Sequence, residues 1–173
     1  YNHFLSGIYS NLIGIFLCTR IKKGDDSYNL YEVINLKVLF KYFILFNIGG
    51  LCYIIIELLW RGFSHWSMFF LGGSCFVVLG LINERASWDV PLIAQMASGA
   101  FIITALEFIA GCVLNIWLDM NVWSYADMPY NIMGQICLPY TVLWFFMSGL
   151  CIAADDWIRY LFFEEEKPHY KII

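Results

Sequence analysis

Two acidic side chains, Glu57 and Glu107, sit inside long apolar runs of this 173-residue chain. An ionisable group near the middle of a hydrocarbon layer costs at least about 2.5–3.5 kcal/mol, so each asks for a partner, a bound species or a water-filled cavity. Glu57 precedes Arg61 by one helical turn, in the favourable order of acid before base. His65 falls one turn further on if that helix continues. The pair reads either as an ion pair holding a helix end or as a clamp on a solute. Glu107 has no basic residue one turn away in its own segment. That leaves a protonated acid, a contact to Arg61 or His65, or a bound ion or ligand. Thr104, Glu107, Gly111 and Asn115 follow at steps of three, four and four, which places them on one helical face.

The segments beside these residues are rich in aromatic and amide groups: Arg61 to Ser67, with His65 and Trp66, and Asp119 to Asn131, with Trp123, Tyr125 and Asn131, followed by Gln135. Apolar and aromatic walls with a few placed polar groups are the usual make-up of a small-molecule site. The expectation is an outward-facing pocket with Glu107 and Asn115 at its floor, Glu57 and Arg61 as clamp or gate, and Trp66, Trp123 and Tyr125 at its rim. The alternatives stay open: Asn115, Asn131 and Gln135 as hydrogen-bond glue between helices, and Trp123 and Tyr125 as interface anchors.

Nucleophilic and metal chemistry find little support. Ser64 and His65 are adjacent, so their side chains point apart, and no orienting acid is specified. Gly-x-x-x-x-Gly-Lys-Ser/Thr, His-Glu-x-x-His and Gly-x-Ser-x-Gly do not occur. The chain is expected to be no enzyme and to use no cofactor or metal. Cys18, Cys52, Cys75, Cys112, Cys137 and Cys151 all lie in or beside apolar runs without a Cys-x-x-Cys, and read as packing residues.

The elements that must position these groups follow from composition. Hydrophobic residues make up 61% and charged ones 14%, against the roughly 25% charged residues of soluble domains, so the chain is a membrane protein. A net charge of −4 offers no basic stripe for phosphates and excludes nucleic acid as a partner. A crossing takes about 20 helical residues, and four stretches meet this: 36–60, 66–83, 91–118 and 132–154. The second is shortest, and its Gly72, Gly73 and Gly80 suit an interior helix approached closely by its neighbours. Pro139 is expected to loosen one turn of the fourth. A fifth, N-terminal span over about 4–19 carries His3, Ser6, Gly7, Ser10 and Gly14 at helical spacing, with a surface-lying helix as its rival. No basic segment precedes it, so a cleavable secretory leader is not expected. The fold class is therefore all-α, a single polytopic transmembrane helix bundle.

Of the ten Lys and Arg residues, only Arg61 falls in the connections following the first and third of the four stretches. The positive-inside rule then puts those connections outside the cell, and puts the second connection and the C-terminus in the cytoplasm. The inner halves of the first, third and fourth stretches look almost wholly apolar. Residues 155–173 read as a cytoplasmic interfacial tail ending in a solvated Glu164-Glu165-Glu166 run.

A set of strings carries a family resemblance: Ile56-Glu57-Leu58-Leu59-Trp60-Arg61-Gly62-Phe63-Ser64-His65-Trp66, Leu81-Ile82-Asn83-Glu84, Thr104-Ala105-Leu106-Glu107-Phe108, Asn115-Ile116-Trp117-Leu118, Pro129-Tyr130-Asn131, Gly134-Gln135-Ile136-Cys137 and Asp155-Asp156-Trp157-Ile158-Arg159-Tyr160. Over roughly residues 36–170 the chain resembles the small bacterial membrane proteins labelled putative ABC-transporter type IV, or putative ABC transporter permease, of Firmicutes. It departs from them at Trp123-Ser124-Tyr125-Ala126, where that family often shows Trp-Asp-Tyr-Ser. The resemblance implies a multi-pass protein of the bacterial cell membrane, transporter-like, with a separate ATPase subunit as partner and a small polar solute as ligand. Two rivals remain: a scaffolding membrane protein without transport, and an oligomeric channel, which would use a homo-oligomer.

Overall fold

The computed structural model describes residues 26–85 and 90–172. The expected N-terminal span over 4–19 lies outside the described residues. Among the described residues there are four α-helices, α1 (Asp26–Arg61), α2 (Trp66–Arg85), α3 (Leu92–Gly111) and α4 (Leu138–Phe163). A π-helical segment, Cys112–Trp117, continues α3, and a short antiparallel ladder joins β1 (Asn131–Ile132) to β2 (Ile136–Cys137).

Among the described residues, three helical segments are long and apolar enough to cross a membrane: Leu36–Arg61, Leu92–Trp117 and Leu138–Phe163. This corrects the expectation of four full spans. Among the described residues the apolar part of α2 is Trp66–Leu81, shorter than those three segments. What α2 lacks in length it makes up in burial. It packs against α1, α3 and α4 alike, while α3 and α4 pair along their length. Ser67, Met68, Cys75, Phe76 and Leu79 of α2 are buried, whereas Leu59, Trp60 and Phe101 on the other helices are among the most exposed apolar residues.

Small residues set the α1–α2 contact. A Cβ at Gly73 would fall 2.6 Å from the Phe46 carbonyl oxygen, and one at Gly50 2.6 Å from that of Phe69. Backbone therefore lies against side-chain-free backbone at both points, the geometry that lets membrane helices gain dispersion contact where no hydrophobic effect drives them together.

Two details of the fourth stretch differ from expectation. Its helix begins at Leu138, with residues 132–137 taken up by the β-hairpin, so Pro139 stands in the first turn. There its missing N–H costs nothing and no turn is loosened. At the other end α4 runs without a break to Phe163, closed by Glu164 in the left-handed region (φ 58°). Asp155, Asp156 and Arg159 are consequently helical and buried.

The described cysteines, Cys52, Cys75, Cys112, Cys137 and Cys151, are unpaired.

Candidate functional site

The face of α3 that carries Thr104, Glu107 and Gly111 meets α4 and the β-hairpin. Thr104 and Thr141 hydroxyls pair at 3.3 Å. Glu107, only 3% exposed, accepts the Tyr125 hydroxyl on Oε1 at 2.8 Å and the Trp144 indole N–H on Oε2 at 2.9 Å. Among the described residues it forms no ion pair, and both its donors are neutral. Gly111 lets Gln135 approach, since a Cβ there would stand 2.6 Å from Gln135 Oε1.

The π-helical segment redirects the end of α3. Its wider turn bonds the Leu118 N–H to the Val113 carbonyl, and Asn115 faces the loop that follows. Asn115 Nδ2 donates to Gln135 Oε1 (2.8 Å), while its Oδ1 accepts the Val122 N–H (2.7 Å). Trp123 in turn donates its indole N–H to the Gln135 carbonyl at 3.0 Å. Val122 and Trp123 are thereby plugged into a buried cluster with Met68, against which Tyr53, Leu114 and Tyr125 pack.

The loop between α3 and α4 thus acts as a cover rather than a free connection. Asp119, Asn121, Tyr130 and Met133 adopt positive φ without being glycine, and Gly134 adopts it at 68°. Such residues accumulate where surrounding contacts over-determine the backbone. Asn131 is exposed, and it organises the turn: its Nδ2 donates to the Met128 and Ala126 carbonyls, and its Oδ1 accepts the Gly134 N–H. The Tyr125 phenol sits beneath this cover. Burial, then the charge of Glu107 and its hydrogen bond, push its pKa above the ordinary value, so it stays protonated and donates.

Glu57 forms a second group at the same end. It pairs with Arg61 and accepts the Ser64 hydroxyl at 2.6 Å. His65 Nδ1 lies 2.7 Å from the Ser67 hydroxyl and 3.3 Å from the Ser67 backbone N, so its ring is engaged with the first turn of α2. Trp66 is 63% exposed and meets Phe70 edge-on, away from the other rim residues. Glu107, Asn115, Trp123, Tyr125 and Gln135 therefore form one connected network. Glu57 with Arg61 forms a neighbouring one, and His65 and Asn131 hydrogen-bond within their own turns.

Sequence reasoning overlooked the rings that wall Glu107. Tyr53, one turn before Glu57, stacks with Trp144 at 6.4 Å and 30°, and Tyr140 stacks with Tyr125 at 4.7 Å and 28°. The available signal was Trp144 itself, since an indole N–H in mid-span needs an acceptor. A shallow depression of about 210 Å³ opens nearby between Phe101, Thr104, Ala105, Phe108, Ile132 and Ile136, and its walls are apolar.

A further charged cluster lies at the opposite end, where an interfacial tail with a solvated acidic run is expected; Glu164 and Glu166 of that run are exposed. Arg159, 2% exposed, pairs with Asp155 and Glu84, and Lys41 pairs with Glu84 at 2.7 Å and Glu165 at 2.8 Å. Gly80 makes room for it, since a Cβ there would lie 2.5 Å from Asp155 Oδ2. The tail is tied down as well: Tyr170 donates to Asp156 at 2.7 Å, and the Leu92 N–H at the start of α3 donates to the Lys171 carbonyl at 2.7 Å. Asp155 and Arg159 show the same acid-then-base spacing as Glu57 and Arg61.

Burial alone would raise the pKa of Glu84, which lies beyond the apolar part of α2. The hydrogen bonds from Lys41 and Tyr42 and the Arg159 charge outweigh it and hold that carboxyl below its ordinary 4.5. A lowered folded-state pKa contributes stability that is complete above the unfolded value and is lost as pH falls through the folded one. Thermal unfolding in detergent should therefore lose stability as pH drops below about 4.5, and Glu84→Gln should flatten that loss. An equally steep acid limb in the variant would contradict the assignment.

The family model described as Putative ABC-transporter type IV matches residues 40–167. No curated protein and no solved structure matches the chain.

Proposed function

The chain belongs to the family described as Putative ABC-transporter type IV, and on that basis, with the buried acid at Glu107, we propose that it is the membrane-embedded, non-catalytic subunit of a transport assembly that works with a separate ATPase chain. The observation that carries the reading is the state of Glu107: a carboxyl group in a segment long and apolar enough to cross a membrane, 3% exposed, held among the described residues by a tyrosine hydroxyl and an indole N–H and by no cation. A purely structural acid in such a place is ordinarily matched to a cation, as Glu57 is to Arg61. Glu107 is the group whose charge a bound solute or proton would complete. Its donors come from two different elements, the covering loop and α4. A ligand with differential affinity for covered and uncovered states could therefore shift the balance between them. The distribution of Lys and Arg supports a reading in which the covering loop lies outside a bacterial cell and the tail in its cytoplasm.

The test is reconstitution in liposomes with a P-loop ATPase encoded beside the chain. ATP hydrolysis should be stimulated by the chain, and Glu107→Gln should reduce that stimulation at least tenfold while the complex still assembles. If no ATPase responds, and Glu107→Gln only lowers thermal stability, the scaffold reading replaces this one.

A further inference from the structure

Glu107 is surrounded by more aromatic surface than a hydrogen-bonded acid requires. Tyr125 donates to one carboxylate oxygen and stacks on Tyr140 at 4.7 Å; Trp144 donates to the other and stacks with Tyr53. Tyr140 and Trp144 stand 6.4 Å apart at 46°, so the two stacks adjoin around a single acid. Ring faces carry negative charge density, and rings gathered about a carboxylate attract a cation twice over, by charge and by cation–π contact. The described side chains supply no cation there, since Arg61 is committed to Glu57 and lies over the ring of Phe63 at 5.0 Å.

Tyr125 differs from the other three rings because it comes from the loop and not from a helix. It offers Glu107 the positive end of an O–H bond and Tyr140 a flat face; an aromatic ammonium ion would offer the same acid a full positive charge, with or without an N–H, and the same ring a flat face. Tyr125 thus occupies the position of a ligand, and withdrawing it would open a space about the size of a phenol ring between Glu107, Tyr140 and Trp144.

Resting on the transport reading and naming its substrate class, we infer that Glu107 with Tyr53, Tyr140 and Trp144 forms a binding site for an organic monocation, a protonated or quaternary amine, and that the Tyr125 side chain is the internal occupant it displaces. Selectivity follows from the walls. An inorganic cation would gain little from rings without giving up its hydration, whereas an alkylated ammonium ion is weakly hydrated and is suited to aromatic surfaces. No covalent step is involved, and the proton on Tyr125 stays on its oxygen.

The experiment is isothermal titration of phenyltrimethylammonium into the protein in lipid nanodiscs, with sodium and potassium chloride as comparison titrants. Saturable binding of the organic cation is expected, at least tenfold weaker in Glu107→Gln and in Tyr140→Leu. Tyr125→Phe keeps the ring and its stacking but removes the hydroxyl that competes for Glu107, and should bind severalfold more tightly. A merely structural role for Tyr125 would not produce that gain, and the variant gives a readout even if Glu107→Gln folds poorly. Response to sodium or potassium alone, absence of binding by the wild-type chain, or weaker binding by Tyr125→Phe would each overturn the assignment. ATPase stimulation that persists under such a result would leave the transport reading standing, and cation binding without any ATPase response would do the reverse.

Discussion

Arg159→Met should destabilise the protein by about 3–5 kcal/mol, the range seen when one partner of a buried ion pair is removed. The methionine keeps the unbranched stem and much of the volume, so the change isolates the charge. Asp155, 1% exposed, would be left without its cation, and a guanidinium that also pairs with Glu84 would be gone. Lys41 still reaches Glu84 and Glu165, so the loss concentrates on Asp155. Reversible unfolding in mixed detergent would measure it. The double change Asp155→Leu with Arg159→Met should recover most of the loss, because replacing both members of a buried pair by apolar groups is often neutral or better. A double variant no more stable than the single one would mean that the cost lies in packing around Gly80 rather than in charge.

The second large effect is expected at Gly73→Val. The added Cβ would stand 2.6 Å from the Phe46 carbonyl oxygen, and a backbone atom cannot rotate away as a side chain can. Relief requires α1 to move off α2, so the cost should reach the upper part of the 1–3 kcal/mol, or about 3 kcal/mol, typical of overpacking. Gly149→Ala serves as the contrast. Its Cβ would meet the Met96 side chain at 3.1 Å, and a thioether has free rotors to yield with, so a loss below about 1 kcal/mol is expected. Comparable losses in the two variants would show that crowding against backbone is not what governs the α1–α2 contact.

These effects arise at positions that differ in how far they could be read beforehand. Glycine enrichment in the second stretch pointed to a closely approached interior helix without naming the partner residue. The three-four-four spacing put Thr104, Glu107, Gly111 and Asn115 on one helical face; in the fold the first three meet α4 and the hairpin, and Asn115, in the π-helical segment, also reaches Gln135. The Asp155–Arg159 pair was overlooked because the apolar run was taken to end at residue 154. Hydropathy falls where charges begin, whereas a helix goes on for as long as its charges can find partners.

Composition by itself determined that this is a helical membrane protein, and apolar run length found three membrane-capable segments while counting the shorter second stretch as a fourth, because a hydrocarbon layer leaves backbone polar groups no partners but those within the helix. Spacing of three and four residues determined which polar groups share a helix face. Only the tertiary structure decided that α2 packs against three neighbours, that the loop between α3 and α4 folds down to place Tyr125 on Glu107, and that Lys41, Glu84, Arg159 and Glu165 gather from distant parts of the chain. Such contacts depend on the relative placement of helices, and one-dimensional periodicity carries no information about which face of one helix meets which face of another.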